Sequence, residues 1–348
     1  MDRRKFLAGT ATLGTGAALA APALGQSRTQ LNIVNLWSEG SEGRGAILSA
    51  VAARVSGLSG GQLTITVTNG AGQAADAALS GADGVVGAEE AWMGKSAAFG
   101  LMTSTPGGLV ERELEAFIRQ ENGQALWDAL SAAHGMKSFY LGDTGAEYLW
   151  AQTVPGDVSA FSGASVAARG LAARLYTALG ANVTTPAMNV VAPGGAAFAE
   201  TGPLADQQQA GMGGLNKVAL GTITRPSAAV SLTLKSAAWN GLNETQQRIL
   251  TAATTAQSHI TAAEALKRNA LAQQILRLTG AAEVTTLNED VFHAMMPAAR
   301  DVLNGLASDG AEAAALVDGY KRFGEAVQSW TRVSEAPFAT NRRRSFSA

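Results

Sequence analysis

Residues 31–37 (LNIVNLW) alternate apolar and polar side chains, the period-two pattern of a strand, and the stretch after them spaces Ile47, Leu48, Val51 and Val55 as one helix face. A turn at Gly60 and Gly61 leads to a second strand with Leu63, Ile65 and Val67 on one side and threonines on the other. DGVVGAEEAW (83–92) is a short apolar strand ending in polar and aromatic residues. Residues 111–134 carry a helical stripe of Leu114, Phe117, Ile118, Leu126, Trp127 and Leu130, which Gly123 is positioned to break. Strands at 139–145 and 147–152, a turn, short helix and strand over 154–170, and a helix over 171–180 follow. Residues 186–214 are the least regular part of the interior, and 218–234 read as strands.

Asn243, with Gln246 three residues later, forms a capping box for a helix whose apolar positions, among them Leu250, Ile260, Leu266, Leu271 and Leu278, run to Thr279. At 1.5 Å per residue such a helix is about 54 Å long and must span more than one domain. Helices over 291–306, with a kink expected at Pro297, and over 311–330 precede a basic tail at Arg342–Arg344. Trp127, Trp150, Trp239 and Trp330 fall on amphipathic or strand patterns and are assigned to the core.

The chain has 348 residues, 47% apolar and 16% charged, which excludes general disorder and is enough for one large or two ordinary domains. A net charge of −2 provides no basic field for a polyanion, so nucleic acid is excluded as a partner. The absence of Cys removes thiol nucleophiles, disulfides and thiolate metal sites together. The three histidines, His134, His259 and His293, lie far apart, and no G-x-S-x-G elbow accompanies the many serines, so the chain is not read as an enzyme. No cofactor is expected.

The first 25 residues read as an export signal: Arg3 and Arg4, then a mildly apolar Ala/Gly/Leu/Thr stretch, then small residues before Gln26. Paired arginines followed by Lys5, Phe6 and Leu7 fit the twin-arginine variety, with cleavage after Gly25 or, alternatively, Ala20. No later stretch approaches the roughly 18 consecutive apolar residues of a membrane span, so a soluble periplasmic protein is expected.

The order of elements is that of an α/β, two-lobed periplasmic binding protein (type II-like) with hinge strands and a long interdomain helix. Lobe I is placed at 26–150 plus about 218–250, lobe II at 151–217 plus about 280–335, and the long helix at 243–279. Beyond this order, SGGQLTITVTNGAGQ, SGADGVVGAEEAWMGKSAAFGLMTSTPGGL, GDTGAEYLW, ARLYTALGANV, AWNGLNETQQRIL and YKRFGEAVQSWTRVSEAPF resemble the solute-binding subunits of TRAP (tripartite ATP-independent periplasmic) transporters, in their 2-oxo acid and organic-acid branch. The resemblance covers nearly the whole chain after residue 25. It implies capture of a small carboxylate by lobe closure and delivery to TRAP membrane permease subunits, with the twin-arginine machinery as export partner. A homodimer remains open, and so does a sensory or orphan binding role with an altered ligand.

The resemblance also implies a carboxylate-binding Arg in a strand before a helix, but that position falls on Ala167. Arg169, two residues on, shares its strand face about 6.6 Å away and becomes the candidate replacement. A Gln of the family is matched by Glu147, and its Glu-Trp pair by Gln208 and Gln209, which favours hydroxyls, amides or zwitterions over bare anions and removes a carboxylate that a metal would need. No metal is therefore expected. Trp37, Glu90 and Trp92, at the ends of strands, complete the candidate ligand set. With this set, Arg169→Ala is expected to lower carboxylate affinity without harm to the fold.

Overall fold

The computed structural model describes residues 28–40, 42–220 and 225–346; the export signal at 1–25 lies outside the described residues. The chain first builds one lobe: β1 (Thr29–Asn35), α1 (Ile47–Leu58), β2 (Leu63–Asn69), α2 (Ala75–Ser80), β3 (Gly84–Gly87), α3 (Glu111–Gln120), α4 (Gly123–Ala133) and β4 (Met136–Asp143). It crosses to a second lobe for β5 (Leu149–Ala151), β6 (Ser165–Ala168), α5 (Gly170–Ala178), β7 (Asn182–Thr184), β8 (Phe198–Glu200), α6 (Leu204–Ala210) and β9 (Lys217–Ala219). It then returns for β10 (Ala229–Lys235) and α7 (Ser236–Asn240), and α8 (Glu244–Thr279) runs along both lobes. Strand β11 (Glu283–Thr285), α9 (Glu289–Gly305), α10 (Ala311–Val333) and α11 (Glu335–Phe346) complete the described chain.

Two sheets result, ordered β2-β1-β3-β10-β4 and β11-β9-β5-β8-β6-β7. In the first, β1 is parallel to β2 and β3 while β10 is antiparallel to its neighbours; in the second, β6 is parallel to β7 and β8 while β5 is antiparallel to β8 and β9. The antiparallel strands β5 and β10 are the first strands after the two hinge crossings, whereas β11, reached along α8, is parallel to β9. Helices cover both faces of both sheets, and β3 and β10 are accordingly almost uniformly buried. The two crossing segments pair with each other: Thr144 N–H donates to Ala228 O (3.1 Å) and Glu147 N–H to Arg225 O (3.1 Å), forming a hinge.

The break between α3 and α4 lies where the sequence places it. Asn122 is left-handed (φ 63°), and a Cβ on Gly123 would lie 2.4 Å from Phe117 O. The capping box of α8 forms in both directions, Gln246 N–H to Asn243 Oδ1 (2.9 Å) and Asn243 N–H to Gln246 Oε1 (3.0 Å). Its first half packs on lobe I through Leu250 and Ala253, its second on lobe II through Ala272 and Leu276.

Several expectations change. On α8 the expected apolar positions Leu266 and Leu278 are 74% and 86% exposed, while Gln257, Ser258 and Thr261 are buried, because polar side chains of lobe I meet the middle of the helix, Arg54 donating to Gln257 Oε1 (2.9 Å) and Arg119 to Ser258 Oγ (2.6 Å). The sheet of lobe II already includes β5 and β9, so the lobe boundaries fall near residues 144 and 225 rather than 150 and 218. Helix α10 does not stay with lobe II: Leu316, Val317 and Tyr320 enter the lobe I core, and Tyr320 Oη accepts Leu109 N–H at 2.9 Å. Trp330, assigned to the core, is 65% exposed at the end of α10, and Trp239 is half-buried.

Candidate functional site

The C-terminal ends of β1, β3, β6 and β8 converge between the lobes, the place where open α/β sheets expose backbone and side chains to a ligand. Beyond β3, Glu90 points from lobe I toward lobe II. Its carboxylate accepts from Arg225 Nη2 at 2.8 Å and lies 3.4 Å from Arg169 Nε. Arg225, on the hinge, also pairs with Glu147 at 2.5 Å. All four side chains are at most 5% exposed. Arg169 is the residue before α5, and Gly170 after it is left-handed (φ 59°), with a Cβ position only 2.2 Å from Glu90 Oε2. The glycine therefore lets the lobe I carboxylate sit against the first turn of a lobe II helix, where exposed N–H groups favour an anion.

Arg169 donates further to Ala187 O (3.2 Å), Val190 O (2.9 Å) and Thr201 O. Burial pulls its pKa down, an effect opposed by Glu147 and Glu90. For Arg225 burial acts in the same direction, but Glu147 and Glu90 outweigh it and hold the guanidinium above its ordinary value. The cluster is two cations and two anions, closed on itself.

Outward from it, a cavity of about 420 Å³ opens between the lobes. Lobe I contributes Trp37, Glu39, Glu42 and Arg44, lobe II contributes Asn189, Val191, Asp206 and Gln209, and α8 contributes Arg268. Arg44 sits in a turn fixed by Asn35 Nδ2 on Gly45 O (3.1 Å) and by Gly43 N–H on Glu264 Oε1 (2.7 Å). Its guanidinium lies 5.4 Å from the Trp37 ring centre and reaches Asp206 across the cleft through Nε (2.8 Å). Arg268 meets the same carboxylate at 3.2 Å. Cavities of about 650 and 750 Å³ lie outside the cleft, against α10 and α11, and are not walled by the β1, β3, β6 and β8 ends.

The structure thus brings Arg169, Glu147 and Glu90 together, but as partners in a closed network rather than as free ligand contacts. The position of Ala167 is fully buried in the lobe II core. Trp92 is a core residue, its Nε1 bonded to Thr233 Oγ1 at 3.1 Å, because the short helix after β3 turns it under the lobe I sheet. Trp37 walls the cavity. Gln209 is exposed at the cavity edge and Gln208 is half-buried away from it; the glutamine that points inward is Gln207, which accepts from Trp150 Nε1 at 2.7 Å. Sequence reasoning missed Arg225 and Arg44. Arg225 did leave a signal: it is the one charge between Lys217 and Lys235.

A monocarboxylate 2-oxoacid-binding periplasmic protein of Nostoc sp. (strain PCC 7120) is 26% identical to this chain over 266 residues, 71% of this chain and 69% of its own length. A TRAP periplasmic solute-binding protein of Pseudoalteromonas atlantica T6c, solved with sodium and pyruvate, superposes with a TM-score of 0.81 at 19% identity, over 90% of this chain and 99% of its own. The fold is that of a TRAP solute-binding protein. A second such structure, from Bordetella bronchiseptica RB50, a mixed-occupancy dimer with calcium and picolinate in one site and an apo site, gives a TM-score of 0.83 at 20% identity, over 92% and 98% of the two chains. No family model matches the chain.

Those two TRAP structures hold a cation as well as an organic acid, and the residues here do not fit a cation. The inner carboxylates Glu90 and Glu147 are committed to arginines, and Glu200 Oε2, at the end of β8, accepts the Tyr176 hydroxyl at 2.6 Å. Among the described residues no group of three His, Asp or Glu is placed to hold a metal ion, and no helix is long and apolar enough to cross a membrane.

Proposed function

We propose that this chain is the periplasmic solute-binding subunit of a TRAP-type secondary transporter, capturing a small organic solute as its lobes close and presenting it to membrane permease subunits. The observation that carries the reading is the cavity of about 420 Å³ whose walls come from both lobes and from the helix that joins them. Such a cavity exists only when the lobes are together, so its occupant favours the closed form. Its size matches a small molecule and its walls are charged and polar. The twin-arginine signal at Arg3 and Arg4 supports delivery to the periplasm, and Arg3 and Arg4 to Lys would keep the precursor in the cytoplasm.

A solute that binds only the folded, closed form stabilises it by RT ln(1 + [L]/Kd), about 2.7 kcal/mol at a hundredfold excess over Kd. A melting screen of the processed protein against organic acids, amides and polyols is expected to single out one chemical group by a clear upward shift. A flat response across the panel would remove the transport reading.

A further inference from the structure

The inner end of the cleft is already filled. Glu90 lies against Arg169, Arg225 and the first turn of α5, so the lobe I chain supplies its own carboxylate to the cationic corner of lobe II. A solute anion would have to displace a side chain that is itself 5% exposed and doubly paired. The outer cavity differs. Arg44 is 7% exposed and uses Nε on Asp206, while its Nη2 lies against Gly202, where a Cβ would come within 3.1 Å. Among the described residues, its terminal amino groups make no hydrogen bond. Beside it Trp37 is 3% exposed, and its Nε1 is buried without an acceptor among the described residues. That N–H is closed off within the lobe I core, so the donors left at the cavity wall are the amino groups of Arg44.

Charge decides what those amino groups receive. In the walls two guanidiniums, Arg44 and Arg268, share the single carboxylate of Asp206. Glu39 and Glu42, both exposed, sit at the rim, Glu42 3.9 Å from Arg268, and are screened by water, so they are set apart from the inner walls. The inner walls therefore carry one positive charge in excess, and one added negative charge neutralises them.

We propose that the solute's carboxylate is received at the corner formed by Arg44 and Trp37, and not at Arg169, and that Asp206 restricts the site to singly charged acids. The inference rests on the solute-binding reading above. The guanidinium offers paired donors to the two carboxylate oxygens, and the Trp37 ring beside it walls the corner. A dicarboxylate would bring its second charge against Asp206 and the rim glutamates. Closure would then be triggered by the solute beside the ion pair of Arg44 and Asp206, which joins the two lobes at the cavity wall.

The test is calorimetry on the processed protein at pH 7 with monocarboxylates (pyruvate, lactate, benzoate) and dicarboxylates (malonate, succinate). The unaltered protein is expected to prefer a monocarboxylate. Arg44→Ala should weaken that acid about tenfold to a hundredfold, the effect of losing a charge-assisted pair, and Arg44→Lys, which keeps the charge and loses the fork, should fall between. Asp206→Asn should shift preference toward the dicarboxylate by about tenfold or more, since it doubles the excess positive charge. Melting curves of each variant check folding. Should Arg44→Ala fail to fold, the preference ratio in Asp206→Asn decides, and an unchanged ratio overturns the inference. Unaltered affinity in folded Arg44→Ala overturns it too, with solute binding still standing, and so does a protein that binds only amides, polyols or amines. A protein that binds none of the acids and gives a flat melting screen overturns both readings.

Discussion

The inner cluster and the outer cavity are both built from arginines and carboxylates, yet they do opposite work. Inside, Arg169, Arg225, Glu90 and Glu147 are all nearly inaccessible and compensate one another. Removing two charges from water costs several kcal/mol each, and such a group persists only if fully paired, so the cluster specifies how the hinge and two strand ends fit together rather than binding anything. Outside, Arg44, Arg268 and Asp206 keep partial access to solvent and an imbalance of charge. The difference teaches that an arginine in a cleft marks a ligand site only where its donors are not consumed by the protein.

The strongest way to break this comparison is to open the inner cluster. Arg225→Ala would leave Glu90 and Glu147 buried with one partner fewer, and a loss of about 3–5 kcal/mol of stability is expected in chemical denaturation. A loss below 1 kcal/mol would mean that the cluster is not structural. A second measurement sharpens the role of the hinge. Asp143, at the end of β4, accepts Gly145 N–H (2.7 Å) and Ala228 N–H (3.1 Å), but its Oδ2 is buried without a donor among the described residues. Burial, only partly offset by those hydrogen bonds, raises its pKa to about 7. The folded form therefore holds a proton that the unfolded chain has lost above about pH 4, and the contribution of this group to stability falls by a few kcal/mol between about pH 4 and pH 7 and is level above that. Asp143→Asn should flatten that slope; an unchanged slope would assign it to other groups.

Arg169→Ala comes next. Because Arg169 holds the carbonyls of Ala187, Val190 and Thr201, its loss is expected to destabilise the protein by about 2–3 kcal/mol and to loosen the loop that carries Asn189. A variant with native stability and lowered carboxylate affinity would restore it as a ligand contact and reverse the comparison. The smallest effect is expected at Trp330, at the exposed end of α10: Trp330→Gln should change stability by less than about 0.5 kcal/mol, the range of surface substitutions.

Much of the frame was legible in local signals. The alternation in β1 and β2, the Asn243–Gln246 box and the break before Gly123 follow from backbone geometry and side-chain period, which neighbouring residues alone decide. Glu90, Glu147 and Arg169 were picked out as ligand contacts, but not their partner Arg225, which lies 56 residues beyond Arg169 and reads as part of a strand. A lone charge in an apolar run does point to a buried pair, since an unpaired one would not be tolerated there. Arg44 left no such mark: flanked by glycines, it has the local character of a solvated turn.

The order of strands and helices, the two-lobed α/β class and the length of the connecting helix were set by the sequence, since period and capping act over a few residues. Which residues form the site was decided by tertiary structure alone. Pairing a guanidinium with a carboxylate depends on distances between segments far apart in the chain, and on how much water is left around them. Glu90 meets Arg225 across 135 residues and Arg44 meets Asp206 across 162, so the same two residue types become a closed strut in one place and an open receptor in the other.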